Sequence, residues 1–298
     1  MGQSAQTVAL LLLEHIREPF TGPVLSYGLQ SLNIKYPGAL AIFESLGIRP
    51  DPAGMSDTPL PDTVMAFSRV IKLMGLGDLE TLDVSDYEGA EIIADLNAPI
   101  PPEFRGRYGL IVDGGTMEHV FDLRQGMKNT ADMLRPGGRV VHMSPANNYV
   151  NHGFVQLSPA FYHEYYTENG FEDVRGILAV QPRAEIANLG WNFLQYDHAT
   201  MGGANSIFCP EGTQLAVYFT ARKTRDSTSD RVPARSYERR LLDGVHLPGN
   251  QVVLTHDPAT LNVRRIVEPE VHVIPPPHEV VHVGFGSGRA PARIAVED

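Results

Sequence analysis

A single cysteine, Cys209, stands in a chain of 298 residues. No intramolecular disulfide can form from it, and a thiolate metal cage is excluded. Long apolar runs are also missing. The N-terminal stretch VALLLLEHI, from Val8 to Ile16, is too short to span a bilayer. It has neither a basic segment before it nor a small-residue cleavage site after it, so the expected location is cytoplasmic with no membrane span. Basic residues are in deficit: 24 Lys and Arg stand against 35 Asp and Glu, for a formal net charge of -11. Long-range repulsion therefore disfavours nucleic acid and anionic membrane as bulk partners, while a local basic pocket stays compatible. No Gly-x-Gly-x-x-Gly turn occurs in the first βα unit, which counts against a dinucleotide-binding dehydrogenase. No internal repeat is visible.

What is present is an ordinary globular composition, 43% hydrophobic and 20% charged, with enough length for one large α/β domain or two small ones. Residues 1–20 pattern as an amphipathic helix with Leu11, Leu12 and Ile16 at helical spacing. This helix has two readings, a self-association surface giving a homo-oligomer or a cover for a ligand. GPVLSYGLQ (22–30) predicts a short strand ending in a glycine turn, and YPGALAIFESLGI a helix. Residues 63–77 pattern as a helix stopped by glycine, and 79–86 and 90–97 as strands with acidic ends. A strand over 108–113, a helix over 121–134, the strand in PGGRVVHMSP, a helix over 158–171 and strands over 174–182 and 213–224 complete the series. Alternating strands and helices predict a doubly wound, mostly parallel α/β sheet over residues 21–224. From Arg225 to Asp298 the texture turns to charge clusters and scattered proline, which predicts an irregular C-terminal extension.

In such a sheet ligands bind outside the carboxyl ends of the strands, so the polar strand tips are the candidates. Carboxylates at the second and third tips suit a nucleoside, because a carboxylate accepts two hydrogen bonds from a ribose diol. A glycine at the first tip lets backbone approach the ligand closely. The segment YGLIVDGGTMEHVFD, then MLRPGGRVVHMSP, then NHGFVQLSPAFYHEYYTENGF resembles the fourth-to-fifth strand region of class I S-adenosylmethionine-dependent methyltransferases. The likeness extends over roughly residues 20–224. It implies a seven-stranded Rossmann-like sheet whose last strand, LAVYFTARK, inserts antiparallel. It also implies S-adenosyl-L-methionine as cofactor, with Gly28 in the first loop, Asp83 on the ribose hydroxyls, Asp95 near the adenine, and Asp113, Gly114 and Gly115 beside the methionine part. The first loop departs from the family pattern. Ser26-Tyr27-Gly28-Leu29-Gln30-Ser31 lacks the preceding acid and two of three glycines, and Gln30 is the candidate to supply amide hydrogen bonds there.

Methyl transfer is an in-line displacement, so the protein must chiefly align acceptor, methyl and sulfur in a dry pocket. An oxygen or nitrogen acceptor also calls for a group to take its proton, and neutral histidine suits that near pH 7. His119 and Glu118 at the fourth-strand tip and His152 in the loop after the fifth strand are the candidate catalytic residues. His163 is a further histidine to place, and His142, inside VVHM, reads as a sheet histidine. The expected activity is methylation of a small-molecule or glycan-like acceptor. The alternative is a methyltransferase fold kept as an inactive binding or scaffold module. No metal ligands are assigned: His278 and His282, with His272 nearby, have loose spacing, but PPPHEVVHV reads as extended rather than helical.

Overall fold

The computed structural model describes residues 2–55, 64–182, 191–201, 213–233, 254–256, 263–265 and 282–283. Cys209, His272, His278 and most of the C-terminal extension lie outside them. The main helices are α1 (Ala5–Arg17), α2 (Tyr36–Ser45), α3 (Phe67–Leu73), α4 (Leu123–Met133) and α5 (Pro159–Glu168). The main sheet is built from β1 (Val24–Tyr27), β2 (Leu79–Asp83), β3 (Ile92–Ile93), β4 (Tyr108–Asp113), β5 (Leu134–Asn147), β6 (Glu172–Pro182), β7 (Trp191–Tyr196), β8 (Thr213–Arg222) and β9 (His282–Val283).

Among the described residues these strands form one nine-stranded sheet in the order β9-β7-β6-β8-β5-β4-β1-β2-β3. From β3 to β5 every neighbour is parallel. β8 inserts antiparallel between β5 and β6, as expected for the last strand of the series. The expected seven strands are extended at the β6 edge by β7 and β9. Nothing in Trp191–Tyr196 marks it as a strand by alternation, and its pairing with β6 is what makes it one.

Every residue of β4 is buried. A strand covered on both faces reads as a continuous apolar run, which is why YGLIV was legible. Its side chains feed two cores, with Tyr108 set off from strict alternation by a register shift before Leu110. Leu110 and Val112 pack with α1, α2 and α3 on one face, whereas Tyr108 and Ile111 pack with α4 and α5 on the other. The helices are punctuated by side chains: Ser4 and Thr7 form a reciprocal capping box on α1, Asp122 caps α4, and Ser158 with Pro159 opens α5.

The helix expected over 63–77 is shorter than its pattern. Val64–Ala66 is a strand, paired antiparallel with Ser31–Lys35, which in turn pairs with Gly2–Gln3. Helical periodicity across 63–77 does not reveal this, because the competing hydrogen bonds come from a distant segment. The strand expected over 90–97 shrinks to Ile92–Ile93. Residues 225–233 run against α5, where Tyr165 Oη donates to the Ser229 carbonyl at 2.9 Å and Asn169 Nδ2 to the Arg231 carbonyl at 3.0 Å.

α1 is tied down by a buried cation. Arg139, 2% exposed on β5, bonds Glu14 at 2.8 Å and Glu18 at 2.6 Å, and also pairs with Asp173. Arg17 joins the same group through Glu14 and Asp173. Burial opposes ionisation of Asp173, but hydrogen bonds from Arg17 and Arg139 and their charges outweigh it and hold its carboxyl below the usual range. A carboxyl with a depressed folded pKa stabilises the fold above its unfolded value, and that contribution is lost as pH falls through the folded one. The thermal midpoint should therefore fall on acidification from about pH 6 to about pH 3. In Asp173→Asn the midpoint at pH 6 should be lower and the acid-dependent fall smaller, as followed by circular dichroism.

Candidate functional site

β4 ends at Asp113, whose side chain is fully buried. Its Oδ1 accepts backbone N–H groups from Thr116 at 2.8 Å and from Gly115 and Met117 at 3.3 Å each. Its Oδ2 stands 2.7 Å from His142 Nδ1, and His142 Nε2 stands 2.6 Å from Tyr166 Oη. With the carboxylate as acceptor, Nδ1 carries the proton and Nε2 accepts from the tyrosine hydroxyl. Tyr162 stacks on the imidazole at 4.4 Å between ring centroids. His142 is thus a sheet histidine with both nitrogens occupied, and Asp113 is turned into the protein rather than toward either cavity.

This carboxylate fixes the path of residues 114–119, and two cavities lie on either side of that segment. The first, about 300 Å³, is lined at the strand tips by Gly28, Gln30, Asp83, Glu88 and Asp95, and on its other wall by Gly115, Thr116 and His119. Gly28 has φ +69°, in the region that favours glycine. A Cβ there would stand 3.5 Å from Asp83 Oδ2 and 3.7 Å from Gln30 Nε2, projecting into the space those groups share. Asp83 Oδ1 accepts from the Val84 N–H at 2.6 Å. Asp95 Oδ1 accepts from the backbone and side chain of Asn97, both at 2.8 Å. Those bonds hold its carboxyl below the ordinary range. The expected Gly28, Gln30, Asp83, Asp95 and Gly115 therefore share one cavity. Gly114 lies on the other, and Asp113 on neither.

The second cavity, about 240 Å³, is walled by Met143, Ala179, Trp191, Val217 and Tyr218 from the sheet and by Leu10 and Thr7 from α1. Gly114, Glu118 and His152 also border it. Glu118 is 0% exposed, and neither carboxylate oxygen has a hydrogen-bond partner among the described residues. Burial pushes its carboxyl up to about 8, with the charge of Asp113 adding to the effect. His152 Nε2 lies 3.5 Å from Glu118 Oε1, and the His152 and His119 rings stand 5.5 Å apart. Partial burial, and then the charge of His152, lower the His119 pKa. The loop carrying His152 is clasped to Glu118: Phe154 N–H donates to the Glu118 carbonyl at 2.8 Å, and a Cβ on Gly153 would fall 2.7 Å from that oxygen. The three candidate catalytic residues thus meet at one place, from two loops separated by more than thirty positions. His163 lies elsewhere, stacked on His198 at 3.9 Å.

Thr7 and Leu10 enter from α1, one of whose two expected readings was a cover for a ligand, whereas Trp191 had no signal in the sequence and enters because β7 adds an edge.

No family model matches the sequence, and no curated protein matches it. Among solved structures, the chain is similar to the CMeT domain of the citrinin polyketide synthase, at 12% identity and TM-score 0.38, over 74% of this chain and 52% of that one. It is similar to the 1,6-didemethyltoxoflavin-N1-methyltransferase of Burkholderia thailandensis, at 13% identity and TM-score 0.34, over 74% and 78%. It is also similar to a SAM dependent methyltransferase from Archaeoglobus fulgidus, at 14% identity and TM-score 0.39, over 74% and 94%. The chain spans about half the length of the citrinin synthase structure. Likeness at this level carries no argument for this chain, whose fold and chemistry rest on the residues above.

Replacing His142 with leucine should leave Asp113 buried without its ring partner and Tyr166 Oη without an acceptor. The expected loss is about 3 kcal/mol of unfolding free energy by urea titration, whereas Ser144→Ala, which removes only one bond to Tyr162, should cost about 1 kcal/mol.

Proposed function

We propose that the chain transfers a methyl group from S-adenosyl-L-methionine to an oxygen or nitrogen of a small molecule with a hydrophobic body. One observation carries the reading. The strand-tip cavity is lined by three acids, Asp83, Glu88 and Asp95, with no lysine or arginine among the described residues that line it. It is separated only by residues 114–119 from a second, mainly apolar cavity that holds Glu118 and His152. An acid-lined nucleoside site repels phosphate and suits a ligand bearing a sulfonium and an ammonium. That charge balance also argues against a dinucleotide.

The residues fit such a ligand. Asp83, beside side-chain-free Gly28, presents a carboxylate to a ribose diol. Asp95, with Oδ1 engaged by Asn97, keeps a second oxygen for an adenine amine. Gln30 and the Gly115–Thr116 backbone border the end where the amino-acid part would lie. When bound, the cofactor supplies an already activated methyl, so the protein's work is alignment and exclusion of water. Met143, Trp191 and Tyr218 give the acceptor an apolar bed, which favours a hydrophobic small molecule over a glycan. The cluster of Glu118, His119 and His152 receives the acceptor heteroatom and provides for loss of its proton.

Titration calorimetry with S-adenosylhomocysteine tests the reading. Binding is expected in the full chain. Asp83→Ala should weaken it by about 10- to 100-fold, the loss of roughly 1.4–3 kcal/mol in charge-assisted hydrogen bonds. Absence of heat and of any thermal shift at about 1 mM ligand, where even affinities of a few kcal/mol register, would sink the proposal.

A further inference from the structure

Glu118 poses a problem that methyl transfer alone leaves open. A carboxylate with no exposed surface ordinarily has its oxygens satisfied, because desolvation without a partner is costly. Both oxygens of Glu118 lack hydrogen-bond partners among the described residues, yet the segment around it is tightly fixed. Asp113 holds the backbone of residues 115–117, and Glu118's own carbonyl receives the Phe154 N–H. The side chain is aimed, not loose. Two imidazoles then converge on the same place from different loops, His119 next in sequence and His152 from beyond β5.

We propose that Glu118, His119 and His152 form a binding site for one divalent transition-metal cation at the border of the second cavity. One ligand atom from each of the three lies within 4.8 Å of the other two. Two ligands each about 2.1 Å from a tetrahedral ion stand about 3.4 Å apart. The widest permitted pair therefore has to close by about 1.4 Å, which side-chain rotation of the exposed His119 and His152 can supply. Two imidazoles and one carboxylate suit manganese, iron, cobalt or zinc better than the all-oxygen preferences of calcium and magnesium. An ion pair between His152 and Glu118 would explain one imidazole but not the second beside it, and 3.5 Å is long for a buried charge-assisted bond.

The site leaves coordination positions toward the second cavity, where an acceptor oxygen would complete the shell. What the ion does there rests on the methyl-transfer reading. Coordination lowers the pKa of an acceptor hydroxyl, whose proton passes to solvent. The oxygen lone pair then forms the new O–C bond as the S–C bond breaks with its electron pair to sulfur, leaving S-adenosylhomocysteine. The acceptor that this arrangement serves is a phenol or alcohol able to bind a cation.

Cation binding is measured without cofactor or acceptor. The full chain is freed of metal with chelator, titrated calorimetrically with Mn²⁺ or Zn²⁺ alone, and loaded with Co²⁺ for visible absorption. One equivalent should bind, and the Co²⁺ bands should report nitrogen ligation. Glu118→Gln and His152→Gln should each weaken binding by more than about tenfold, since even the loss of an outer-shell partner reaches that scale. If either variant melts early, the exposed His119→Gln carries the same expectation. No binding of any of the three ions at about 1 mM, or binding unchanged in folded Glu118→Gln and His152→Gln, overturns the site. S-adenosylhomocysteine binding without cation binding overturns it while sparing the methyl-transfer reading. Cation binding without S-adenosylhomocysteine binding upholds the site and removes that reading.

Discussion

The arrangement of the site depends on one buried carboxylate. Asp113 ends a strand with no exposed residue, and it spends one oxygen on three backbone N–H groups and the other on His142. Those bonds turn the chain sharply enough that Gly114 and Gly115 face different cavities and that Glu118 is presented to the second. The charge is tolerable because its hydrogen bonds are nearly complete, and His142 is in turn held by Tyr166 and stacked on Tyr162. The resemblance to methyltransferases placed Asp113 beside the ligand. In the structure it lies one layer behind, and the residues it positions are the ones that border the cavities.

Much of the fold was legible because strands buried on both faces read as unbroken apolar runs that end abruptly in polar residues. YGLIVD and RVVHMS did so, and the parallel order of β1, β2, β4 and β5 brings their tips to one edge. Gly28, Asp83 and Asp95 share a cavity for that geometric reason. Short, non-local pairings were not legible. Val64–Ala66 follows a helical apolar pattern and is a strand only because Ser31–Lys35 lies alongside. β7 is likewise made by its partner β6.

The meeting of Glu118, His119 and His152 was half legible. Glu118 and His119 adjoin a strand tip and so stand where ligands bind in this architecture. That His152 returns to them depends on a clasp between backbone groups, the Phe154 N–H on the Glu118 carbonyl, and on Gly153 having no side chain to collide with it. Neither is encoded in residue type along a loop. The orphaned state of the Glu118 oxygens is a property of packing and is invisible in a sequence.

The first loop shows how an atypical sequence still makes a ligand edge. Where the family pattern has an acid and several glycines, this chain has a single glycine and secures the turn with side chains. Ser26 Oγ donates to the Gly28 carbonyl at 3.0 Å, Gln30 Nε2 to the Tyr27 carbonyl at 2.6 Å, and Thr116 Oγ1 to that same carbonyl at 3.3 Å. Gly28 N–H is bound to the Leu82 carbonyl at 2.7 Å, which locks the tip of β1 to β2. The chain then continues as a strand, Ser31–Lys35, so no helix N-terminus points from this loop into the cavity. An anion-stabilising dipole is absent where a dinucleotide would place its pyrophosphate. With Asp83, Glu88 and Asp95 supplying the charge at that edge, the loop and the acids agree with the proposed cationic nucleoside better than with a phosphorylated one.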